Sequence, residues 1–168
     1  MRVKFFQLLF ITAIVFTMNS CSSDSSETAT NTSSASTQKA MIYTYNATEI
    51  ETMALINAHR VSIGLNELKE INYISYKSEE HDNYMITNNV VNHDDFVSRS
   101  ENIMKVLGAK SVGENIAYNY NSPQAALDAW LKSPDHKANI EGNFTHFGLA
   151  IRISAEGKKY YTNIFVKI

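Results

Sequence analysis

Cysteine is nearly absent from this sequence, in which Cys21 is the only one among 168 residues. A single cysteine excludes a disulfide within the chain, so the fold depends on its apolar core alone. Long apolar runs are also lacking, because the run at residues 5–18 falls short of the roughly 20 apolar residues that span a bilayer. The net charge is −2 at pH 7 and no basic patch stands out, which argues against nucleic acid as a partner.

Residues 1–20 have the composition of an export signal. The start MRVK is basic, a short apolar stretch follows, and small polar residues come next. Cys21 stands where cleavage is expected. This resembles a bacterial lipoprotein signal in which the cysteine is lipidated, although Met18 and Asn19 replace the usual leucine and small residue. Lipidation also accounts for an unpaired thiol in an exported protein; an ordinary secretory signal with an incidental cysteine is the alternative.

Residues 21–41 are predicted to be a tether. Serine and threonine make up more than half of residues 22–41, and such a segment buries too little apolar surface to offset the entropy of ordering. The single globular domain is therefore expected over residues 42–168.

Three helices are predicted in the first half of this domain. The first has an N-cap at Asn46 or Thr48 and a stop at Gly64. Between them, apolar residues recur at helical spacing: Ile50, Met53, Ala54, Ala58 and Val61. A second helix begins near residue 72, and a third covers about residues 95–107. On the second helix, His81 is interpreted as a packed or surface histidine without a role in the site.

Both prolines of the sequence follow a serine, at Ser122-Pro123 and Ser133-Pro134. Serine is a preferred N-cap and proline suits the first helical position, so each pair predicts the start of a helix. Residues 112–118 are predicted to form a strand, and the alternating stretches 147–153 and 160–168 a terminal hairpin. This order of elements indicates an α+β fold in which helices cover a small sheet.

His93, Glu114 and His136 are the residues whose chemistry fits one shared site, although they lie far apart in the chain. Two imidazoles with a carboxylate or water could hold zinc, and a glutamate beside a histidine could form an acid/base pair. Spacing alone does not decide, because the sequence has no HExxH motif or tight cluster of ligands. A nucleophilic Ser133–His136 pair is a further alternative, but it lacks an identified orienting acid and oxyanion hole.

Several motifs, taken in order, resemble the CAP superfamily in its bacterial exported branch. The superfamily is named after cysteine-rich secretory proteins, antigen 5 and pathogenesis-related 1 proteins. The motifs are Asn57-x-x-Arg60 followed by Gly64-Leu65, Asn92-His93, Gly113-Glu114-Asn115-Ile116-Ala117, Trp130-x-x-Ser133-x-x-His136-x-x-x-Ile140 and Phe144-Thr145-His146-Phe147-Gly148. The resemblance covers residues 47–168, essentially the whole globular part.

This resemblance implies an α-β-α sandwich with a small central antiparallel sheet, and a cavity that eukaryotic members line with two histidines and two glutamates. By motif, His93 and His136 match the histidines and Glu114 the first glutamate. Ser133 stands where the second glutamate is expected, and the family's cysteines are absent. We therefore expect His93 and His136 to bind zinc or another divalent metal, with Glu114 and Ser133 in the cavity. Four further residues are interpreted as structural: Arg60, Asn115, Trp130 and His146.

Two functions follow from these expectations. The first, which we favour, is a non-catalytic binding module, monomeric and held at the cell envelope by a lipid on Cys21, with a groove for a small lipid or peptide. The second is a metal-assisted, peptidase-like hydrolase in which Glu114 is the general base for a zinc-bound water. A purely structural or interaction protein with a vestigial pocket is a third possibility.

Overall fold

The computed structural model of this chain describes residues 42–168. The predicted export signal (1–20), the tether (21–41) and the lipidation of Cys21 lie outside these residues. The elements, in chain order, are α1 (Ala47–Ser62), β1 (Lys69–Glu70), α2 (Asn72–Asn88), α3 (Phe96–Leu107), β2 (Ser111–Tyr118), α4 (Pro123–Lys132), α5 (Pro134–Ile140), β3 (His146–Ile153) and β4 (Lys159–Lys167). Within the described range, no helix is long and apolar enough to cross a membrane.

The four strands form one sheet in the order β1-β3-β4-β2. β3 and β4 are the predicted hairpin, and β2 pairs antiparallel with β4, so that Glu114 lies opposite Ile164. The sheet is mixed, because β1 pairs parallel with β3 through two residues. A strand this short shows no alternation in sequence, which is why the sequence did not predict it. β2 lies at the edge of the sheet.

Helices cover both faces of this sheet, as expected for an α-β-α sandwich. One core lies between the sheet and α1, α4 and α5, and includes Met53, Ile56, Leu127, Trp130, Phe147, Tyr161 and Phe165. A second core lies between the sheet and α2 and α3, and includes Ile74, Ile103, Ile164 and Val166. Successive strand residues point to opposite faces, so Glu114 shares the second face with Ile164, and Asn115 faces the first.

α2 packs closely on β3 at Gly148. A Cβ at this position would stand 2.4 Å from the backbone nitrogen of Ser75 and 2.6 Å from the carbonyl carbon of Ile74. A side chain here would push the helix away from the sheet. The glycine therefore fixes the distance between the sheet and the helix that carries His81.

The buried face of α1 differs from the predicted one. Asn46 caps the helix, as predicted, and forms a capping box with Glu49. However, Ile50 and Val61 are 56% and 55% exposed. The residues that α1 buries are Glu49, Thr52, Met53, Ile56 and Arg60. The helix is thus rotated relative to the stripe that its apolar residues predict.

Buried charges explain this rotation. The Glu49 carboxylate accepts bonds from the backbone nitrogens of Asn46 and Ile151, from the Tyr43 hydroxyl and from Arg152. Arg60, interpreted as structural, donates to the carbonyl oxygens of Asn66, Ile140 and Gly142. A buried charge is tolerated when its hydrogen bonds are made, and the positions of these partners decide the side of α1 that faces inward.

The two serine–proline pairs start helices as predicted, but only one serine acts as a cap through its side chain. The Ser122 hydroxyl accepts a bond from the backbone nitrogen of Ala125 at 3.2 Å. Ser133 occupies the N-cap position of α5 without a side-chain capping bond. Ser133 is thus the N-cap residue, as predicted, but its hydroxyl does not supply the capping bond.

Candidate functional site

His93 and His136 line one cavity of about 480 Å³ beside β2, the edge strand. His93 lies in the loop between α2 and α3, and His136 lies on α5, so the two imidazoles reach the cavity from elements far apart in the chain. The other lining residues are mostly apolar: Val91, Ile116, Ala117, Tyr118, Tyr120, Ala129, Trp130 and Ser133. The cavity thus combines two imidazoles and the hydroxyl-bearing residues Tyr118, Tyr120 and Ser133 with an otherwise apolar wall.

Glu114 is bonded to His93 but does not line this cavity. Its Oε1 lies 2.9 Å from the His93 Nδ1, and its side chain is 1% exposed. Because a carboxylate only accepts hydrogen bonds, His93 donates through Nδ1, which leaves the Nε2 of a neutral ring as an acceptor or metal ligand. Glu114 therefore acts on the cavity through the orientation of His93.

Arg99 on α3 is a member of the site that sequence reasoning missed. Its Nε lies 2.8 Å from the Glu114 Oε2, and its Nη2 lies 2.9 Å from Oε1. A signal was present, because Arg99 follows Phe96 by three residues and precedes Ile103 by four, which places it on the inward stripe of the helix. A cation on such a stripe requires a buried acidic partner, but the sequence does not say which one.

His81 is packed, as predicted, yet it also belongs to the surroundings of Glu114. Its Nε2 lies 2.8 Å from the carbonyl oxygen of Asn92, to which it donates, and 3.9 Å from the Glu114 Oε1. Burial is the largest cause that lowers the pKa of His81, so the neutral ring is favoured. His81 supports the residue that precedes His93 and does not line the cavity.

Two asparagines attach α5, and with it His136, to β2. Asn115 donates to the carbonyl oxygen of His136 at 2.9 Å, which agrees with its predicted structural role. Asn139 donates to the carbonyl oxygen of Glu114 at 3.2 Å and to the Asn115 Oδ1 at 2.9 Å. Gly113 leaves room for this contact, since a Cβ there would be 2.5 Å from the Asn139 Oδ1. Asn139 was not singled out in the sequence.

Trp130 closes the same region from α4. It is 1% exposed and donates from Nε1 to the carbonyl oxygen of Ile116 at 2.8 Å, so its predicted role in the core is confirmed. Trp130 and Asn139 thereby occupy the carbonyls of Ile116 and Glu114 along the outer edge of β2. Side chains, and not another strand, cover this part of the edge.

The His136 ring is held in its neutral form more strongly than an ordinary histidine. Burial is the main cause that lowers its pKa, and the positive charge of a protonated His93 lowers it further. Both rings line the same cavity, so a charge on one acts on the other. Neutral imidazole is the form that binds metal ions.

The other residues considered from the sequence, Ser133 and His146, lie at different distances from the cavity: one lines it and the other does not. Ser133 lines the cavity, but among residues 42–168 no acid is bonded to the His136 ring, so these residues do not assemble a Ser133–His136 nucleophilic pair with an orienting acid. His146 begins β3 and its Nδ1 pairs with the neighbouring Thr145 hydroxyl, away from the cavity lining. In the described part of the chain, no three residues among His, Cys, Asp and Glu are grouped so that they could hold a metal ion.

The chain belongs to the cysteine-rich secretory protein family, abbreviated CAP, whose family model matches residues 53–166. Two curated relatives from Bacillus subtilis are each 32% identical to it. The uncharacterised membrane protein YlbC matches 71% of this chain and 34% of its own length, and the uncharacterised protein YkwD matches 62% and 42%. The chain therefore spans less than half of the length of these relatives.

Solved structures share the fold. An extracellular protein from Bacillus anthracis that contains an SCP domain is 27% identical, with a TM-score of 0.62 over 73% of this chain and 41% of that protein. An outer surface protein of Borrelia burgdorferi gives a TM-score of 0.63 at 17% identity, over 76% of this chain and 98% of that one. These likenesses support the CAP α-β-α sandwich that the sequence motifs implied.

Proposed function

We propose that this CAP domain is an exported binding module whose cavity holds a divalent metal ion, zinc in particular, through His93 and His136. The observation that carries the proposal is that both imidazoles line one cavity while Glu114 engages the Nδ1 of His93. Imidazole nitrogen is a common ligand of zinc, and histidine ligands usually donate their other ring nitrogen to a carboxylate or carbonyl.

Two imidazoles suit a weakly bound metal ion whose other coordination positions are open. Two imidazoles supply fewer ligands than a structural zinc site requires, so water or a ligand would complete the coordination. Zinc bound here would act as a Lewis acid toward an oxygen or nitrogen of that ligand. The Ser133 hydroxyl, which caps no helix, is a polar group in the same wall.

The rest of the cavity suits a small lipid or peptide side chain. Its wall includes the aliphatic residues Val91 and Ile116 and the ring of Trp130. Ligand cavities usually combine apolar walls with a few polar groups that fix orientation. The apolar wall would bind the body of the ligand, and the histidine end would bind its polar group.

Binding is favoured over hydrolysis because Glu114 is not placed as a general base. Both of its oxygens accept bonds from Arg99, and one also accepts from His93. A general base must come within hydrogen-bond reach of the proton that it removes, directly or through one water. We therefore assign Glu114 the role of orienting His93.

Export is supported by relatives from cell surfaces. The Bacillus anthracis relative is described as extracellular, and the Borrelia burgdorferi protein as an outer surface protein. In our proposal the domain is a monomer, lipid-anchored at Cys21 and carried by the tether of residues 21–41, so that it samples ligands near the membrane.

Zinc titration of the domain tests the metal proposal. We expect the ring signals of His93 and His136 in ¹⁵N-resolved NMR spectra to change together as zinc is added, and His93→Ala and His136→Ala each to abolish the change at the other ring. His146→Ala is the matched control, because it removes a histidine outside the cavity and should leave the titration intact. Ring signals that stay unchanged up to millimolar zinc would refute metal binding.

A further inference from the structure

We infer that His81 and Arg99 are positioning residues that hold the loop of His93 and, with Glu114, fix the direction in which its ring points. This inference deepens the proposed metal site and rests on it. The geometry begins with the backbone on either side of His93. His81 donates to the carbonyl oxygen of Asn92 at 2.8 Å, and the Arg99 Nη1 donates to that of Asp94 at 3.2 Å.

The carbonyl of His93 itself is also occupied. It accepts a bond from the backbone nitrogen of Phe96 at 3.1 Å. Three successive carbonyls in the loop, those of residues 92, 93 and 94, therefore each accept a hydrogen bond. Since each peptide unit is planar, holding three neighbouring carbonyls restricts the backbone dihedrals around His93.

The side chains that hold this backbone also define the position of Glu114. Arg99 contacts both carboxylate oxygens, and the His81 Nε2 lies 3.9 Å from Oε1. Glu114 in turn accepts from the His93 Nδ1 at 2.9 Å. The backbone of His93 and the acceptor of its ring proton are thus held by the same two side chains, which links the position of the loop to the orientation of the ring.

A buried ion pair holds the group that accepts the His93 ring proton. Arg99 and Glu114 form an ion pair whose side chains are 9% and 1% exposed. The Glu114 carboxylate that accepts from His93 is therefore held in place by Arg99, independently of the His93 ring. A neutral ring that donates from Nδ1 presents a lone pair at Nε2, the arrangement that a metal ligand requires.

Two pairs of variants separate positioning from a purely structural role. His81→Phe keeps an aromatic ring beside Tyr84 but removes the donor to Asn92, whereas His81→Gln keeps an N–H donor. Arg99→Met removes both the positive charge and the planar guanidinium group. Arg99→Lys keeps the charge but loses the guanidinium that bonds both carboxylate oxygens of Glu114. Lys105→Met, at an exposed position of the same helix, is the control.

The first readout uses the metal-free domain, so it does not depend on zinc. We expect the ¹⁵N ring shifts of His93 to report one tautomer, with the proton on Nδ1, in the parent, His81→Gln and Lys105→Met. We expect a mixture of tautomers in His81→Phe and in both Arg99 variants. A single, unchanged tautomer in folded His81→Phe and Arg99→Lys would overturn the inference, whatever the behaviour of Arg99→Met.

The second readout is the zinc dissociation constant. Loss of groups that orient a metal-bound histidine typically weakens binding about 10- to 100-fold, and we expect this for His81→Phe and Arg99→Lys, with His81→Gln and Lys105→Met close to the parent. Equal affinity in all folded variants would overturn the inference. A parent domain that binds no zinc would refute the proposed function instead, and the tautomer measurement would still decide the roles of His81 and Arg99.

Discussion

Arg99 holds the carboxylate of Glu114 by both oxygens, with Nε 2.8 Å from Oε2 and Nη2 2.9 Å from Oε1. The pair lies beneath His93, and its side chains are almost inaccessible to solvent. The glutamate in the GENIA motif is therefore not a free acid or base in the cavity. It is one half of a buried ion pair that supports a histidine.

The Glu114–Arg99 pair predicts strong coupling between the two residues. Glu114→Gln leaves the Arg99 cation buried without its counter-ion, and breaking such a pair typically costs about 3–5 kcal/mol of unfolding free energy. Adding Arg99→Met to Glu114→Gln removes this unpaired buried cation. The double variant should therefore be more stable than Glu114→Gln alone. Urea denaturation at pH 7 measures all three variants and the parent.

A double-mutant cycle gives the coupling energy directly. Strictly additive losses from Glu114→Gln and Arg99→Met would contradict the paired arrangement. Glu51→Gln is a suitable control, because it neutralises an exposed glutamate on α1, and it should change the unfolding free energy by less than about 0.5 kcal/mol.

The proximity of His93 and His136 predicts a shift in the titration of His136. Its pKa is lowered by burial and by the charge of His93. In the metal-free parent we expect the NMR titration midpoint of the His136 ring to lie below 6.5, the ordinary value. His93→Asn removes the neighbouring charge, so the midpoint should rise toward that value while remaining depressed by burial.

The lowered pKa of His136 also affects metal binding. A proton and a metal ion compete for the same ring, so a lowered pKa lets His136 remain available to metal at a more acidic pH than an ordinary histidine. A His136 midpoint that is the same in His93→Asn and the parent would mean that the two rings do not interact. His146→Asn provides the comparison with a histidine outside the cavity.

Gly113→Ala should disturb α5 through Asn139. The added Cβ would lie 2.5 Å from the Asn139 Oδ1, so the amide must move and lose its bonds to the Glu114 carbonyl and to Asn115. We expect a loss of about 1–3 kcal/mol in unfolding free energy, the cost of buried polar groups left unbonded, and a change in the His136 ring signal. Denaturation and NMR measure the two effects.

The matched background for this variant is Asn139→Ala. Once the amide is gone, the alanine at position 113 has lost its closest neighbour, and the nearest remaining contact is the Phe144 ring at 3.2 Å. Gly113→Ala should therefore cost less in Asn139→Ala than in the parent. An equal cost in both backgrounds would show that the clash with Asn139 is not the cause.

The buried carboxyl group of Asp82 leads us to expect an unusual dependence of stability on pH. The Asp82 side chain is fully buried between α2 and the sheet. Oδ1 accepts a bond from the Thr162 hydroxyl at 2.6 Å, and Oδ2 has no hydrogen-bond partner in the part of the chain that the structure describes. Burial raises its pKa well above the ordinary value. A carboxyl whose folded pKa is raised contributes stability below its unfolded pKa of about 4, and that stability is lost as the pH rises through the folded pKa.

Asp82→Asn removes this titration and keeps an oxygen that can accept from Thr162. We expect the variant to be more stable than the parent at pH 7 by about 1–3 kcal/mol, with the difference shrinking toward pH 4. Denaturation at pH 4, 5.5 and 7 measures this trend. A parent whose stability rises between pH 4 and 7 relative to Asp82→Asn would contradict the assignment.

Local chemistry allowed part of the fold to be predicted. Asn46 and Ser122 cap their helices through side-chain bonds that depend only on residues three positions away. The terminal hairpin followed from alternation in two stretches separated by a short turn that contains Gly157. The family motifs added the sandwich and selected His93 and His136, both of which line one cavity.

Other features depend on partners that are remote in the chain. The inward side of α1 was predicted wrongly because Glu49 and Arg60 are bonded to groups near residues 151 and 140. Ser133 has the sequence of a capping serine, yet its hydroxyl caps nothing and instead lines the cavity. Arg99 and Asn139 were missed because their partners, Glu114 and Asn115, lie on β2.

The sequence by itself determined where most helices and strands begin, how they alternate, and which family motifs the chain carries, because these depend on neighbours within one or two turns. Only the tertiary structure decided that Glu114 is shared between Arg99 and His93 and does not face the cavity. A charged side chain acquires its role from the charges and hydrogen bonds that folding brings to it, and here those come from three separate elements.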